Sequence, residues 1–323
     1  MKNVCITGVS GYLGMRLLNE LSANETIGSI VGVDIVPPAS GSAKLSFYKM
    51  DIRDSLIGEL LSRQDIDTVL HLAFVVKPIH DRKLMYDVDF NGTRNILDKA
   101  NAAGVKHLIA VSSTLAYGAH KDNPPELKET DPLRGNKIFP YGHNKALVDE
   151  MIQGFATEHP EMIITILRPC TVLGPNVDNY VSRMLFRPLA VSVLGYHAAV
   201  QFLHEDDFVK ACLKAMERQV PGAFNIAGEG TLTTGEVAHM IGTKLTPLPS
   251  WIVYPLLELL WRLHFPAIEV NRGYLDYVRY TFVAGTEKAR KEMDFRPKYS
   301  SLETIRDTVV RKKDAGHLRA HGH

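Results

Sequence analysis

Two hydrophobic patterns alternate along the first half of the chain. Short runs rich in Val, Ile and Leu recur at Asn3–Thr7, Ser29–Asp34, Leu45–Met50, Thr68–Ala73, His107–Ser112 and Met162–Leu167. Their length and β-branched content predict strands. Between them, apolar residues return at helical spacing over Tyr12–Ala23, Leu56–Arg63, Leu84–Ala103 and Tyr141–His159. Strands alternating with helices predict an α/β fold, a doubly wound parallel sheet with helices on both faces. Ligands of such sheets bind beyond the carboxyl ends of the strands, where the strand order reverses.

The regularity fades after Arg168-Pro169. Pro, Gly and Asn interrupt Pro175–Val200; Glu205–Arg218 then reads as a helix, Ala223–Ala227 as a short strand and Ser301–Lys313 as a closing helix. The predicted division is a nucleotide-type domain over 1–175 and a smaller C-terminal substrate-binding lobe over 176–323, with 223–227 free to return to the main sheet. His317, His321 and His323 read as a frayed tail rather than a metal site, and no metal is expected. Two apolar stretches, Leu189–Leu203 and Trp251–Leu263, are interrupted by polar residues and fall short of the ~18–20 apolar residues a membrane span needs. Shallow association at a membrane surface stays open for Trp251–Leu263, because Trp and amphipathic stretches favour interfaces.

Composition narrows the classes. With 37 Lys and Arg against 36 Asp and Glu, the net charge is +1, which argues against a partner bound through phosphate neutralisation such as a nucleic acid. The 323 residues fit one large or two intimate domains, since a domain usually takes ~100–200 residues. Cys5, Cys170 and Cys212 are too few and too scattered for a disulfide scaffold or a zinc site. They favour a reducing, cytoplasmic setting, and Met1-Lys2-Asn3 leaves no room for a secretory leader before the first strand.

The first strand runs into Thr7-Gly8-Val9-Ser10-Gly11-Tyr12-Leu13-Gly14. Glycines spaced G-x-x-G-x-x-G permit a tight turn and bring backbone N–H groups close to a pyrophosphate, which then sits at a helix N-terminus. Asp34 closes the second strand 20 residues after Gly14, where a carboxylate accepts from an adenosine ribose and repels a 2′-phosphate. The expected cofactor is NAD, with NADP the less favoured alternative. Asp51 and Ile52, after the third strand, either flank the adenine or, in the case of Asp51, cap the helix that follows.

Tyr141 and Lys145 stand at i and i+4 on one helix face. A phenol has a pKa near ~10, and a neighbouring ammonium lowers it into a range where proton exchange with a substrate hydroxyl becomes feasible. Lys145 can also reach a nicotinamide ribose. Ser112-Ser113-Thr114 follows the fifth strand, where a hydroxyl either holds a substrate oxygen or caps the strand exit.

Taken in order, these motifs resemble the extended short-chain dehydrogenase/reductase family of NAD-dependent epimerase/dehydratase type. The resemblance is carried by the glycine turn, His71-Leu72-Ala73, Ser112-Ser113 with Tyr117-Gly118, Pro140-Tyr141 with Lys145, Leu167-Arg168-Pro169 and Phe202-Leu203-His204-Glu205-Asp206-Asp207. It implies a Rossmann fold and a catalytic triad of Ser113, Tyr141 and Lys145, Ser113 matching because it lies four residues before Tyr117. It places Gly8, Gly11, Tyr12, Leu13, Gly14, Asp34, Asp51, Ile52, Leu72, Ala73, Tyr141 and Lys145 at the cofactor. It gives Arg168 and His204–Asp207 lobe-organising roles, although Arg168 is also a candidate substrate contact together with Phe74, Ser113, Thr114 and Val200. It further implies a homodimer through the two long helices.

Two departures from the family pattern bear on the substrate, and a third bears on local support of the sheet. No carboxylate follows Ser113 in Ser113-Thr114-Leu115-Ala116-Tyr117, which disfavours dehydration. Val200 occupies the position where nucleotide-sugar enzymes of this type place a diphosphate-binding arginine, though Arg183, Arg187 or Arg272 could substitute in space. Asp89 replaces the usual Asn of an N-x-x-G-T motif. The leading expectation is an NAD(P)-dependent oxidoreductase acting on a secondary alcohol or ketone of a fairly apolar small molecule. The alternatives are a sugar-nucleotide 4-epimerase and a non-catalytic NAD-binding regulator. The loops Phe74–Lys83 and Ala119–Phe139 are expected at the substrate, and Trp251–Leu263 is either the lobe's own core, part of an apolar pocket or an interfacial segment.

Overall fold

The structure, a computed structural model, describes residues 1–314; His317, His321 and His323 lie outside them. Seven parallel strands form the main sheet: β1 (Lys2–Thr7), β2 (Ile27–Asp34), β3 (Leu45–Lys49), β4 (Thr68–His71), β5 (His107–Val111), β6 (Ile163–Pro169) and, far along the chain, β11 (Gly222–Ile226). Their spatial order is β3-β2-β1-β4-β5-β6-β11, the doubly wound order of the Rossmann fold. Order reverses between β1 and β4, and the main cleft opens at that point.

Strand side chains alternate between faces, so each strand feeds two cores. From β1, Val4 and Ile6 pack with Leu17, Leu18 and Leu21 of α1 (Tyr12–Ala23), whereas Cys5 points to the opposite core. That second core takes Leu61 of α2 (Ile57–Arg63), Ile96 and Leu97 of α4 (Gly92–Ala102), and Val148 and Ile152 of α5 (Pro140–Glu158). The first core is completed by Phe208 and Cys212 of α7 (Glu205–Arg218). All three cysteines are buried and unpaired.

The stretch expected as one helix over Leu84–Ala103 is built in three parts. It begins earlier, as α3 (Arg82–Tyr86), because Asp81 accepts from the Leu84 N–H at 2.9 Å and caps the turn. A π-helical turn over Asp87–Asn91 then precedes α4. Such an insertion rotates the residues that follow it, and here Asp89 ends up fully buried.

The remaining elements cover the carboxyl edge of the sheet. Short strands pair as β7 (Thr171–Leu173) with β10 (Phe202–His204), β8 (Leu189–Val193) with β13 (Lys244–Leu248), and β9 (Ala199–Val200) with β12 (Leu232–Thr233). Helices α6 (Tyr180–Leu185), α8 (Thr234–Ile241), α9 (Ser250–Arg262), α10 (Tyr274–Arg279) and α12 (Ser301–Asp314) accompany them, whereas α11 (Glu287–Glu292) packs Ala289 against β11 in the first core. Among the described residues no helix is long and apolar enough to cross a membrane.

Candidate active site

A continuous cleft of about 1470 Å³ runs from the glycine turn across the strand ends into the smaller lobe. A single small ligand usually occupies ~300–1,000 Å³, so the space suits a dinucleotide together with a substrate. At one end, Gly8 has φ +73°, and a side chain there would put its Cβ 2.8 Å from the Ala73 nitrogen. Gly14 has no room either, because a Cβ would overlap the Gly8 carbonyl and approach Val9 Cα at 2.8 Å. Gly11 differs. A Cβ there would meet only the Gly8 oxygen, at 3.3 Å, so the fold itself does not demand glycine; the open space lies on the cleft side. Helix α1 starts immediately after it with no side-chain cap and no acid in its first turn, leaving free N–H groups aimed at an anion. These features fit the pyrophosphate of a dinucleotide.

Asp34 lies beside this turn and lines the cleft, accepting from the Ser10 N–H at 3.0 Å and the Val36 N–H at 3.3 Å. Asp51 and Ile52 line the same end, as do Tyr12, Leu13, Leu72 and Ala73. Asp51 neither caps a helix nor stands free: its carboxylate accepts from Arg53 Nε at 3.0 Å and Nη2 at 2.7 Å. The same arginine donates to Asp87 at 2.7 Å. These bonds hold the Asp51 carboxyl below its ordinary range. Arg53, which sequence reasoning passed over, therefore faces the same end of the cleft already neutralised by two acids. With Asp34 added, this end carries a negative excess that suits NAD and opposes a 2′-phosphate. The Tyr12 hydroxyl donates to Glu205 and ties the start of α1 to α7.

Ser113, Tyr141 and Lys145 all line the middle of the cleft. Pro140 at the first position of α5 pre-sets its backbone and places Tyr141 in the first turn. Ser113 is extended and accepts from the Leu115 N–H at 3.2 Å, opening a short 3₁₀ turn over Thr114–Tyr117. The Lys145 ammonium donates to the Val111 carbonyl at 2.7 Å and stands 3.6 Å from the centroid of the Phe74 ring. Phe74 meets Tyr141 edge to face, with centroids 5.7 Å apart. Burial pushes the Tyr141 phenol above its usual range; the Ser113 hydroxyl opposes that shift, and the Asp89 carboxylate adds to it. Burial pushes Lys145 down, while Asp89 and Asp149 push it back up.

Asp89 is the polar residue behind this wall. One oxygen accepts from the Val75 N–H at 2.8 Å and the other from Asn144 Nδ2 at 2.9 Å. Burial raises its pKa. Its sequence signal was the departure from Asn in the Asp89-Phe90-Asn91-Gly92-Thr93 motif, yet the bond to Asn144 links residues 55 apart and could not be read locally. Next to it, Thr93 donates to the Asp89 carbonyl at 2.6 Å, so Thr93 must accept from His71 Nε2 at 2.9 Å, and His71 Nδ1 accepts from Thr7 at 2.7 Å. Burial, with the Lys145 charge adding, pushes this histidine down to about 3.

Two of the candidate substrate contacts lie elsewhere. Arg168 is fully buried away from the cleft, paired to Asp149 through Nε at 2.9 Å and Nη2 at 2.8 Å, with Nη1 donating to Tyr117 at 2.7 Å. A guanidinium there is stable only because all three of its nitrogens find acceptors, and its burial outside the cleft lining keeps it from a substrate there. Thr114 is buried in the 3₁₀ turn and does not line the cleft. Phe74, Ser113 and Val200 do line it. Residues 74–77 and Ile79 reach the cleft, but of the 119–139 loop only Phe139 does. His204 bonds Asp307 at 3.0 Å and stacks on Tyr299, while Asp207 accepts from the Lys298 and Tyr299 N–H groups, fastening α7 to the C-terminal segment.

The lobe side of the cleft is mostly apolar. Val181, Met184, Leu248, Val253, Leu257 and Val270 line it, with Val200 where the family's arginine would stand. Arg183 and Arg187 also line it. Arg187 is held by the Ala267 carbonyl at 2.6 Å and Glu269 at 3.0 Å, and Arg183 faces Asp178 at 3.5 Å. Arg272 turns away to Glu258 at 3.7 Å.

Fold and cleft define an enzyme of the extended short-chain dehydrogenase type. The family described as NAD dependent epimerase/dehydratase matches residues 4–227, and the chain belongs to it. An uncharacterized protein of Mycobacterium tuberculosis is 27% identical, the match covering 95% of this chain and 83% of that one. UDP-glucose 4-epimerase 2 of Oryza sativa subsp. japonica is 30% identical over 56% of this chain and 47% of its own length. The crystal structure of UDP-glucose 4-epimerase from Thermotoga maritima shares the fold, with a TM-score of 0.74, 22% identity and coverage of 97% and 99% of the two chains.

Proposed function

We propose that this protein is an NAD-dependent oxidoreductase that interconverts a secondary alcohol and its ketone on a largely apolar small molecule. The observation that supports this most directly is the meeting of Ser113, Tyr141 and Lys145 on one wall of a cleft whose far side is aliphatic around Val200. The glycine turn, the free start of α1 and Asp34 would hold NAD, which when bound supplies hydride acceptance at its nicotinamide. Tyr141 would take the hydroxyl proton as the C–H bond gives up its hydride, and would return it in reduction. Ser113 would orient the oxygen, and the Lys145 charge would stabilise the phenolate against the burial that otherwise raises its pKa. The family resemblance supports a homodimer built on α4 and α5.

A second reading is a sugar-nucleotide 4-epimerase. It is favoured by Arg183 and Arg187 in the cleft, two cations within reach of a diphosphate, and by the likeness to the rice UDP-glucose 4-epimerase. Thermal-shift and turnover assays with NAD, UDP-sugars and a panel of apolar ketones separate the two. Consumption of NADH with an apolar ketone, lost in Tyr141→Phe while NAD still binds, is the expected result. Stabilisation by UDP together with stoichiometric retained NAD would replace it with the epimerase, and NAD binding with no turnover of any substrate would leave a regulator.

A further inference from the structure

Helix α9 has apolar side chains facing two ways, with Glu258 and Arg262 paired on a narrow polar strip beside them. Val253, Leu257 and Leu260, at i, i+4 and i+7, turn inward and line the cleft. Ile252, Leu256, Leu259 and Leu263, again at helical spacing, form an outward stripe beside Trp251. Trp251 is 76% exposed, Leu263 67% and Leu259 55%, and the turn that follows adds an exposed Phe265. Contiguous exposed apolar surface of this kind marks a binding site.

We propose that the outer face of α9, with the Leu263–Phe265 turn, seats the protein on an anionic lipid surface with the cleft mouth turned toward it. Two observations select lipid. The first is charge. Glu258 is shared by Arg262 at 2.9 Å and Arg272 at 3.7 Å, and Glu269 by Arg187 at 3.0 Å and Lys77 at 3.6 Å. Arg262 and Arg272 on one acid leave a positive excess beside the apolar face, and Arg187 and Lys77 on Glu269 add a second along the adjoining cleft, the pattern that binds anionic headgroups; on a second copy of the same face those charges would repel. The second is continuity. Leu256 is both exposed and part of the cleft lining, as are Leu189 and Val191 of β8. The cleft therefore opens onto the proposed seat, and an apolar molecule dissolved in lipid would enter without crossing water. That corollary rests on the apolar-substrate reading above; the seat does not. At 13 residues, α9 is too short to span, so the attachment is interfacial.

The test is flotation of the intact protein with vesicles of phosphatidylcholine alone or with added phosphatidylglycerol, read alongside tryptophan emission in a Trp261→Phe background. Flotation with the anionic vesicles, a blue shift of the Trp251 emission and release by salt are expected. The triple variant Trp251→Ser/Leu259→Ser/Leu263→Ser should lower partitioning at least tenfold while NAD binding stays unchanged. Arg262→Glu with Arg272→Glu should remove the preference for phosphatidylglycerol and leave the fold intact. No flotation with either vesicle, partitioning that the triple variant does not reduce, or a concentration-dependent dimer that this variant dissolves would each overturn the proposal. Vesicle binding without turnover of any apolar ketone would instead count against the substrate reading alone.

Discussion

The ammonium of Lys145 lies 3.6 Å from the centroid of the Phe74 ring while it donates to the Val111 carbonyl. The same ring packs edge-on against Tyr141. One aromatic residue just past the end of β4 thus touches both members of the i, i+4 pair on α5. It offers the buried charge an electron-rich face in place of water.

Replacing Phe74 by Leu should destabilise the charged form of Lys145, since a desolvated cation–π contact is worth ~0.5–2 kcal/mol. Burial already lowers this pKa, and losing the ring lowers it further. The alkaline limb of the kcat/KM–pH profile should therefore move toward acid by up to about one unit, a unit being ~1.4 kcal/mol. A profile superimposable on that of the unmodified protein would remove Phe74 from this role.

Gly11 and Gly14 are both in the turn, yet their substitutions should fail differently. Gly11→Ala meets only one oxygen at 3.3 Å and should fold normally but bind NAD at least tenfold more weakly, as measured by calorimetry. Gly14→Ala drives a methyl into the Gly8–Val9 backbone and should lose stability in urea before cofactor is added.

Asp89→Asn removes a negative charge that raises the pKa values of both Tyr141 and Lys145. Without it the phenolate is easier to form and the ammonium easier to lose. Both limbs of the pH–rate profile should shift toward acid, whereas a purely structural defect would lower kcat at every pH without moving either limb.

Two buried histidines make the fold sensitive to acid. His71 is pushed down to about 3 and His107 to about 4, in both cases chiefly by burial, from an ordinary 6.5. Below pH 6.5 the unfolded chain takes up protons that the folded chain refuses, so stability falls as pH drops toward those values. The slope approaches ~1.4 kcal/mol per pH unit for each group. A second proton on His71 would also displace the Thr7 hydroxyl from Nδ1. Urea midpoints measured between pH 7 and 4.5 should fall steadily, and His71→Asn should flatten part of the decline.

Much of the nucleotide half was legible because it is local. Helices Tyr12–Ala23 and Glu205–Arg218 occupy the spans their apolar spacing predicts. The strand–glycine–helix start needs only neighbouring residues to form, and a Tyr and a Lys four apart on a helix must share a face. Where reading failed, the cause was an interaction across the chain. The 82–102 stretch contains a π turn whose buried Asp89 is held by Val75 and Asn144. Arg168 carries the same charge in or out of the cleft, and only the position of Asp149 and Tyr117 shows that it serves the core.

The order of residues by itself determined the strand–helix alternation, the glycine turn and the family, since these depend on period and spacing within a few turns of chain. Tertiary structure alone decided which charges are spent on one another, which ring supports Lys145 and which side of α9 faces the cleft. An apolar run such as Ser250–Arg262 has the same hydrophobicity whether it fills a core or meets lipid. Only its packing, Val253 buried and Trp251 exposed, tells one face from the other.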